Sequence, residues 1–220
     1  EKNSDKKYKI KNVFKKLNIN PLKKDTINFL NWFAEYNLIP KGMALKMHLL
    51  KGTAIENLKK KKYEKYIKKN NIIKYKLNDE QFNAFNEMSK KNKQFRVHLL
   101  QGTTGSGKTI VYFKTIKEKI DQGLQALILL PEIGLTSEFK KKFIHYFGFN
   151  PAIWHSGVTP KQKKIIWSGL ASGKIKVVIG ARSSLFLPFS KLGIITIDEE
   201  HDQSYKQDEG IIYNARDMAI

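Results

Sequence analysis

An α/β fold, a parallel sheet covered by helices, is predicted by three features of this 220-residue sequence. The stretch Gly102-Thr103-Thr104-Gly105-Ser106-Gly107-Lys108-Thr109 fits the phosphate-loop pattern GxxxxGK[ST]. After it, short apolar runs rich in β-branched residues alternate with stretches of helical period, the order that places parallel strands between helices. The last such run, Leu192 to Ile197, leads directly into Asp198-Glu199-Glu200-His201. In parallel sheets ligands bind at that carboxyl end.

Taken in order, the opening is charged, with Ile10, Val13, Phe14 and Leu17 as its first apolar anchors. Pro21 to Pro40 predicts one helix, capped at Asp25 or Thr26, with Ile27, Leu30, Phe33, Ala34 and Leu38 on its apolar face. Trp32 and Tyr36 read as core or interface groups rather than platforms for bases. Lys59 to Lys69 is the strongest basic block and contains Tyr63 and Tyr66. It allows two readings, a track for a phosphate backbone with rings stacked on bases, or a solvated linker or helix face.

Composition turns from lysine-dominated to globular near Leu77, dividing the chain into 1–57, 58–76 and 77–220. Leu77 to Gln81 opens a helix with Phe82, Phe85 and Met88 on its core face. Gln81 is either the third residue of a capping box begun by Asn78 or a side chain that reads adenine. Val97 to Leu100 predicts a buried strand ending at the phosphate loop. Tyr112, Ile116 and Ile120 predict the helix that follows, stopped by Gly123. Further strands are expected at 126–130, 152–154, 176–179 and 194–197, the last buried on both faces if it sits inside the sheet.

The chemistry follows from residue type. Gly102, Gly105 and Gly107 allow backbone conformations closed to other residues, so amides and the helix start can face an anion. Lys108 would reach the β and γ phosphates of ATP, and the Thr109 hydroxyl would be a magnesium ligand. Asp198 would hold the magnesium, directly or through water, while Glu199 would polarise an attacking water. The chain has no cysteine, which excludes disulfides and cysteine-ligated zinc within it, and no apolar run approaches a membrane span. Against 20 acidic residues stand 41 Lys and Arg, a net charge of +21 that points to a polyanion, nucleic acid before membrane. The chain begins with glutamate rather than methionine, so a fragment or processed chain is expected.

Several longer segments resemble the PriA family, the bacterial primosomal replication-restart helicases of superfamily two. They are Leu99 to Thr109, Leu129 to Thr136, His155-Ser156-Gly157, Ile179 to Phe186 and, most discriminating, Ile197 to Gly210, which reads IDEEHDQSYKQDEG. The resemblance covers 77–220 well and, more loosely, 10–50 through Trp32, Ala34, Tyr36, Pro40, Gly42 and Leu49-Leu50. It implies a RecA-like first helicase lobe and a bacterial cytoplasmic enzyme that uses ATP and magnesium to move 3′ to 5′ on single-stranded DNA. Forked DNA, primosome proteins and single-strand-binding protein are the partners it implies.

The resemblance also assigns residues. Gly102 to Thr109 is motif I, Asp198 to His201 is motif II (the DEAH box), and Gln81 belongs to the adenine-reading motif. Pro131 to Thr136 and Ala181 to Ser184 resemble strand-contacting motifs, with Arg182 and Ser183 toward DNA; Arg182 equally suits a structural ion pair, and His155 a structural role. Tyr205, Lys206 and Tyr213 fall in the aromatic-rich loop that couples DNA to hydrolysis.

Two departures stand out. The segment before Leu77 is too short for the family's winged helix, and Ile211 and Ile212 replace an aromatic and a basic residue. The chain stops at Ile220, soon after motif II, so the second lobe with its arginine, and the family's zinc-binding cysteines, fall outside it. The 220-residue polypeptide is therefore expected to bind nucleotide and DNA without motor activity. Alternatives are a truncated nucleotide- and DNA-binding module or a P-loop ATPase acting on RNA.

Overall fold

The computed structural model describes residues 22–50, 60–67, 75–90, 94–131 and 134–220. The expected anchors Ile10, Val13, Phe14 and Leu17, the ends of the lysine block at Lys59, Lys68 and Lys69, and Glu132 and Ile133 lie outside them. Four parallel strands form the sheet: β1 (Gln125–Leu129), β2 (Ala152–Trp154), β3 (Val177–Gly180) and β4 (Leu192–Ile197), in the spatial order β2-β3-β1-β4. Leu127 pairs with Val178 on one side and Ile195 on the other.

Every residue of β1 is buried, because helices cover both faces. Its alternation divides the core in two. Ala126, Ile128 and Leu130 pack with Phe113 and Ile116 of α4 (Lys108–Asp121) and with Phe143 and Phe147 of α5 (Ser137–Phe147). Leu127 and Leu129 face Ile166 and Leu170 of α6 (Pro160–Ala171). Helix ends follow local chemistry: Thr136 and Thr159 accept from the amides of Phe139 and Gln162, and Gly123 (φ +83°) turns the chain after α4.

The N-terminal stretch departs from its prediction. It forms two helices, α1 (Lys24–Tyr36) and α2 (Lys41–His48), and Pro40 is the N-cap of the second rather than the stop after the first. Neither Asp25 nor Thr26 caps α1; Lys23 holds the cap position without a side-chain capping bond. Leu30, Phe33 and Ala34 are buried as expected, whereas Ile27 and Leu38 are exposed, as are Trp32 and Tyr36, which are not core groups. The helix turns a narrow stripe to the core, Leu30, Phe33 and Ala34 with Phe29 beside them. Phe33 meets Phe186 and Tyr213 edge-on at 4.8 and 5.5 Å between ring centres, so α1 shares the hydrophobic core of the sheet.

The basic block also resolves. Residues 60–66 form a 3₁₀ stretch that buries both tyrosines. Tyr63 donates to Ser168 Oγ at 3.1 Å, and Tyr66 accepts from Gln162 Nε2. These rings are structural anchors on α6 and are not available to bases.

Two expectations about strands fail. Residues 95–100 form no strand, and Val97 and Leu99 are 61% and 78% exposed. β4 is exposed at Leu192 and Gly193 and only partly buried beyond them. Both failures share a cause: β4 bonds to β1 along one edge and has no strand along the other among the described residues. An apolar run becomes a buried strand only where a partner completes its ladder. Helix α3 (Asp79–Ser89) likewise has no buried residue: Phe82 is exposed, and Lys114 lies over the Phe82 and Phe85 rings.

Candidate nucleotide site and nucleic-acid face

The phosphate loop enters α4 through Gly107, the helix N-cap, whose φ of +83° matches that of Gly105. Positive φ at both positions explains why glycine stands there. The first turn of α4 carries no acidic residue, so its free amides and positive end face the loop unopposed. Lys108 folds back over the loop, its Nζ donating to the carbonyls of Gly102 at 2.5 Å and Thr103 at 3.1 Å.

Of the two readings left open for Gln81, the structure shows the capping box, and it adds a contact to the phosphate loop. Its amide group closes a capping box with Asn78, and its Nε2 donates 2.9 Å to Ser106 O of the phosphate loop. A Cβ built on Gly107 would lie 2.5 Å from that Nε2, so the side chain rests against the loop backbone. The cap sets α3, and the contact aims the glutamine at the loop.

Asp198 sits where β4 ends. Its amide extends the ladder to Leu129 O at 3.0 Å, its Oδ1 accepts from Glu199 N at 3.2 Å, and its Oδ2 accepts from the Tyr112 hydroxyl at 2.9 Å. Tyr112 comes from α4, one helical turn after Thr109. Burial first, and the Asp198 charge second, push the Tyr112 pKa far up, so it stays a protonated donor. Tyr205 hydrogen-bonds the carbonyls of Asp198 at 2.5 Å and Leu129 at 3.1 Å, and burial likewise raises its pKa.

Glu199 is exposed and has φ +48°, a left-handed conformation that strains a non-glycine residue by roughly 1–3 kcal/mol. The turn that holds it is closed by Asp202 N to Glu199 O at 2.9 Å. Asp202 then caps the 203–205 turn through Ser204, and that bonding lowers its pKa. His201 Nε2 lies 3.7 Å from Glu199, and Glu200 pairs with Arg216 at 3.1 Å. Glu200 is thus engaged at the surface, leaving Asp198 and Glu199 as the carboxylates of the corner.

Among the described residues no group of three or more His, Cys, Asp or Glu could hold a metal by itself. One hydroxyl and one carboxylate, Thr109 and Asp198, the second tied by Tyr112 to the helix of the first, fit magnesium, which takes few protein ligands and completes its shell with water and phosphate oxygens.

On the other side of the sheet's carboxyl edge a cleft of about 610 Å³ opens between α2, the start of α6 and the turn at 182–186. Lys46, Lys163 and Arg182 stand around it, with Trp154 and Leu49 on its walls. Arg182 donates to Lys206 O, Ser183 Oγ accepts from Trp154 Nε1 at 3.2 Å, and His155 Nδ1 accepts from Gly157 N at 3.1 Å. No ion pair of Arg182 occurs among the described residues; its bond is to backbone. Tyr205 and Tyr213 are 1% and 4% exposed, so neither ring can stack on a base in this structure, whereas Lys206 is at the surface beside Asp208. The tyrosines of this loop can act only through what they pack against.

Tyr112 was missed as a site residue because a tyrosine at a periodic apolar position reads as core. Its signal is the spacing, a phenol one turn after Thr109.

The phosphate loop, the acidic corner and the parallel sheet define a nucleotide-binding helicase lobe with a RecA-like fold, and the chain belongs to the DEAD/DEAH box helicase family, whose model matches residues 78–219. Among individual proteins it is similar to Replication restart protein PriA of Rickettsia conorii, 45% identical over 215 residues that cover 98% of this chain and 32% of the relative. It is likewise similar to proteins of that name from Haemophilus influenzae (45%, 66% of this chain, 20% of the relative) and Bacillus subtilis (41%, 66% of this chain, 18% of the relative). The chain spans about a third of its rickettsial relatives' length. No helix among the described residues is long and apolar enough to cross a membrane.

Proposed function

We propose that this chain is the ATP-binding lobe of an ATP-dependent DNA helicase of replication restart, one that moves 3′ to 5′ on single-stranded DNA. The carrying observation is the joining of the helix that follows the phosphate loop to motif II by the Tyr112–Asp198 hydrogen bond. In this reading Gly102 to Thr109 wrap the phosphates, Lys108 leaves its backbone carbonyls for the β and γ oxygens, and Gln81 meets the base from beside the loop. Magnesium, held by Thr109 and Asp198, supplies charge neutralisation to the transferring phosphoryl group. Glu199, held exposed by its left-handed turn, orients the water and accepts its proton.

The strand runs along the basic cleft, with Lys46, Lys163, Arg182 and Ser183 toward its phosphates, and Lys206 nearby. Tyr205 passes its position to Asp198 through the carbonyl it bonds, and Tyr213 anchors the same loop to α1. Single-stranded and forked DNA, primosome proteins and single-strand-binding protein in the bacterial cytoplasm are the setting this function implies.

The 220-residue polypeptide holds one wall of the catalytic site. Its expected behaviour alone is nucleotide and DNA binding with turnover below about 1 s⁻¹, since an arginine from a second lobe contributes on the order of 10³ to 10⁵ in rate in such enzymes. Steady-state ATP hydrolysis with and without oligodeoxynucleotide, on this polypeptide and on a longer version that includes a second lobe, tests the reading. DNA stimulation in the longer protein alone supports it. Stimulation by RNA but not DNA would assign the lobe to RNA instead.

A further inference from the structure

The position of Tyr112 carries a role beyond helix packing, one that rests on the nucleotide-binding reading. The residue is at the fifth position of α4, one turn after Thr109, and its ring is buried between Phe113 and the sheet. Most buried hydroxyls in folded proteins have a hydrogen-bond partner. Here that partner is Asp198 Oδ2 at 2.9 Å, and Thr109 lies one helical turn before the ring on the same helix.

The phenol therefore bridges two elements that meet nowhere else through side-chain hydrogen bonds among the described residues, the start of α4 and the end of β4. A phenol has one proton. Given to Asp198 Oδ2, it leaves none for the Thr109 oxygen, whose lone pairs stay available to a cation. Asp198 Oδ1 is fixed by Glu199 N, so the carboxylate is held at both oxygens in one orientation.

We propose that Tyr112 is a positioning residue for magnesium: by tying Asp198 to the helix that carries Thr109, it sets the spacing and orientation of the two groups that hold the ion. Groups that orient metal ligands change metal affinity by about 10- to 100-fold when removed.

Tyr112→Phe removes only the hydroxyl and retains the ring. Tyr146→Phe is the matched control, because Tyr146 is buried in the same core cluster, on α5, outside the phosphate loop and the acidic corner. Binding of a fluorescent ADP to the 220-residue chain is measured across a magnesium titration and again in EDTA. Tyr112→Phe is expected to raise the magnesium concentration at half-saturation about 10-fold or more, while affinity in EDTA stays within about twofold of wild type. Tyr146→Phe should move neither. An equal shift for both variants, or a loss in EDTA as large as that with magnesium, overturns the proposal; absence of any nucleotide binding by wild type would instead count against the underlying site.

A second measurement needs no variant. In wild-type protein carrying ¹³C at tyrosine Cζ, the Tyr112 resonance should shift on adding magnesium with ADP and remain in place with ADP in EDTA. An unmoved resonance overturns the role even if Tyr112→Phe fails to fold.

Discussion

The nucleotide corner and the aromatic seam under α1 are both built around buried tyrosines, yet the phenol plays a different part in each. At the corner, Tyr112 and Tyr205 direct their hydroxyls to the side chain and carbonyl of Asp198, and the rings are the means of placing those hydroxyls. In the seam, Tyr213 packs edge-on against Phe33 and Phe186, and its hydroxyl makes no hydrogen bond among the described residues. The corner spends polar groups to fix a geometry. The seam uses shape and apolar area to hold α1 against the sheet. Tyr205 and Tyr213 belong to one loop of nine residues, so that loop links a chemical region to a purely packed one.

That contrast can be broken from either side. Lys108→Ala in a longer protein that hydrolyses ATP should reduce turnover by about 10²-fold or more, as loss of a transition-state donor does, with DNA affinity nearly unchanged. Equal loss of both in a filter-binding and hydrolysis comparison would mean that Lys108 supports the fold. Phe33→Ala attacks the seam. It should cost about 3–5 kcal/mol in chemical denaturation of the 220-residue chain, since Phe33 is fully buried against two aromatic rings.

A gentler effect on the seam comes from pH. His48 is buried, donates Nδ1–H to Phe186 O at 2.7 Å, and leaves Nε2 without a partner among the described residues. Burial lowers its pKa below 6.5. The unfolded chain then takes up the proton first as pH falls, so stability is complete above about 6.5 and declines below it until the folded-state pKa is reached. Denaturation midpoints at pH 7.5 and 5.5 should differ by less in His48→Gln than in wild type. The smallest change concerns the cleft: Lys163→Ala should lower the slope of log affinity for single-stranded DNA against log salt by about 0.7, one phosphate's worth. An unchanged slope would place the strand elsewhere.

Legibility in the sequence follows the same division. The phosphate loop, the capping box at Asn78 and Gln81, the strands at 152–154 and 192–197 and the stop at Gly123 depend on residues near one another in the chain, and each is recognisable there. What escaped depends on distant partners. Val97 to Leu100 looks like a strand by composition, but a strand needs an edge to pair with, and no local pattern reveals which edges are available. Tyr63 and Tyr66 amid lysines read either as base-stacking groups or as part of a solvated linker or helix face, until α6, a hundred residues later, buries them. Trp32 and Tyr36 look like core or interface residues, and α1, turning a narrower stripe inward, leaves both exposed. The same limit hid Tyr112, whose importance lies in a carboxylate 86 positions away.

The central claim is that Lys108, Thr109 and Asp198 form one magnesium–nucleotide site. Calorimetric titration of the 220-residue chain with ADP, in magnesium and in EDTA, tests it most directly when repeated on Lys108→Ala. The account predicts saturable binding that is tighter with magnesium in wild type and lost in Lys108→Ala, with unchanged thermal stability of the variant. Binding that is indifferent to magnesium, or that survives Lys108→Ala undiminished, would contradict it.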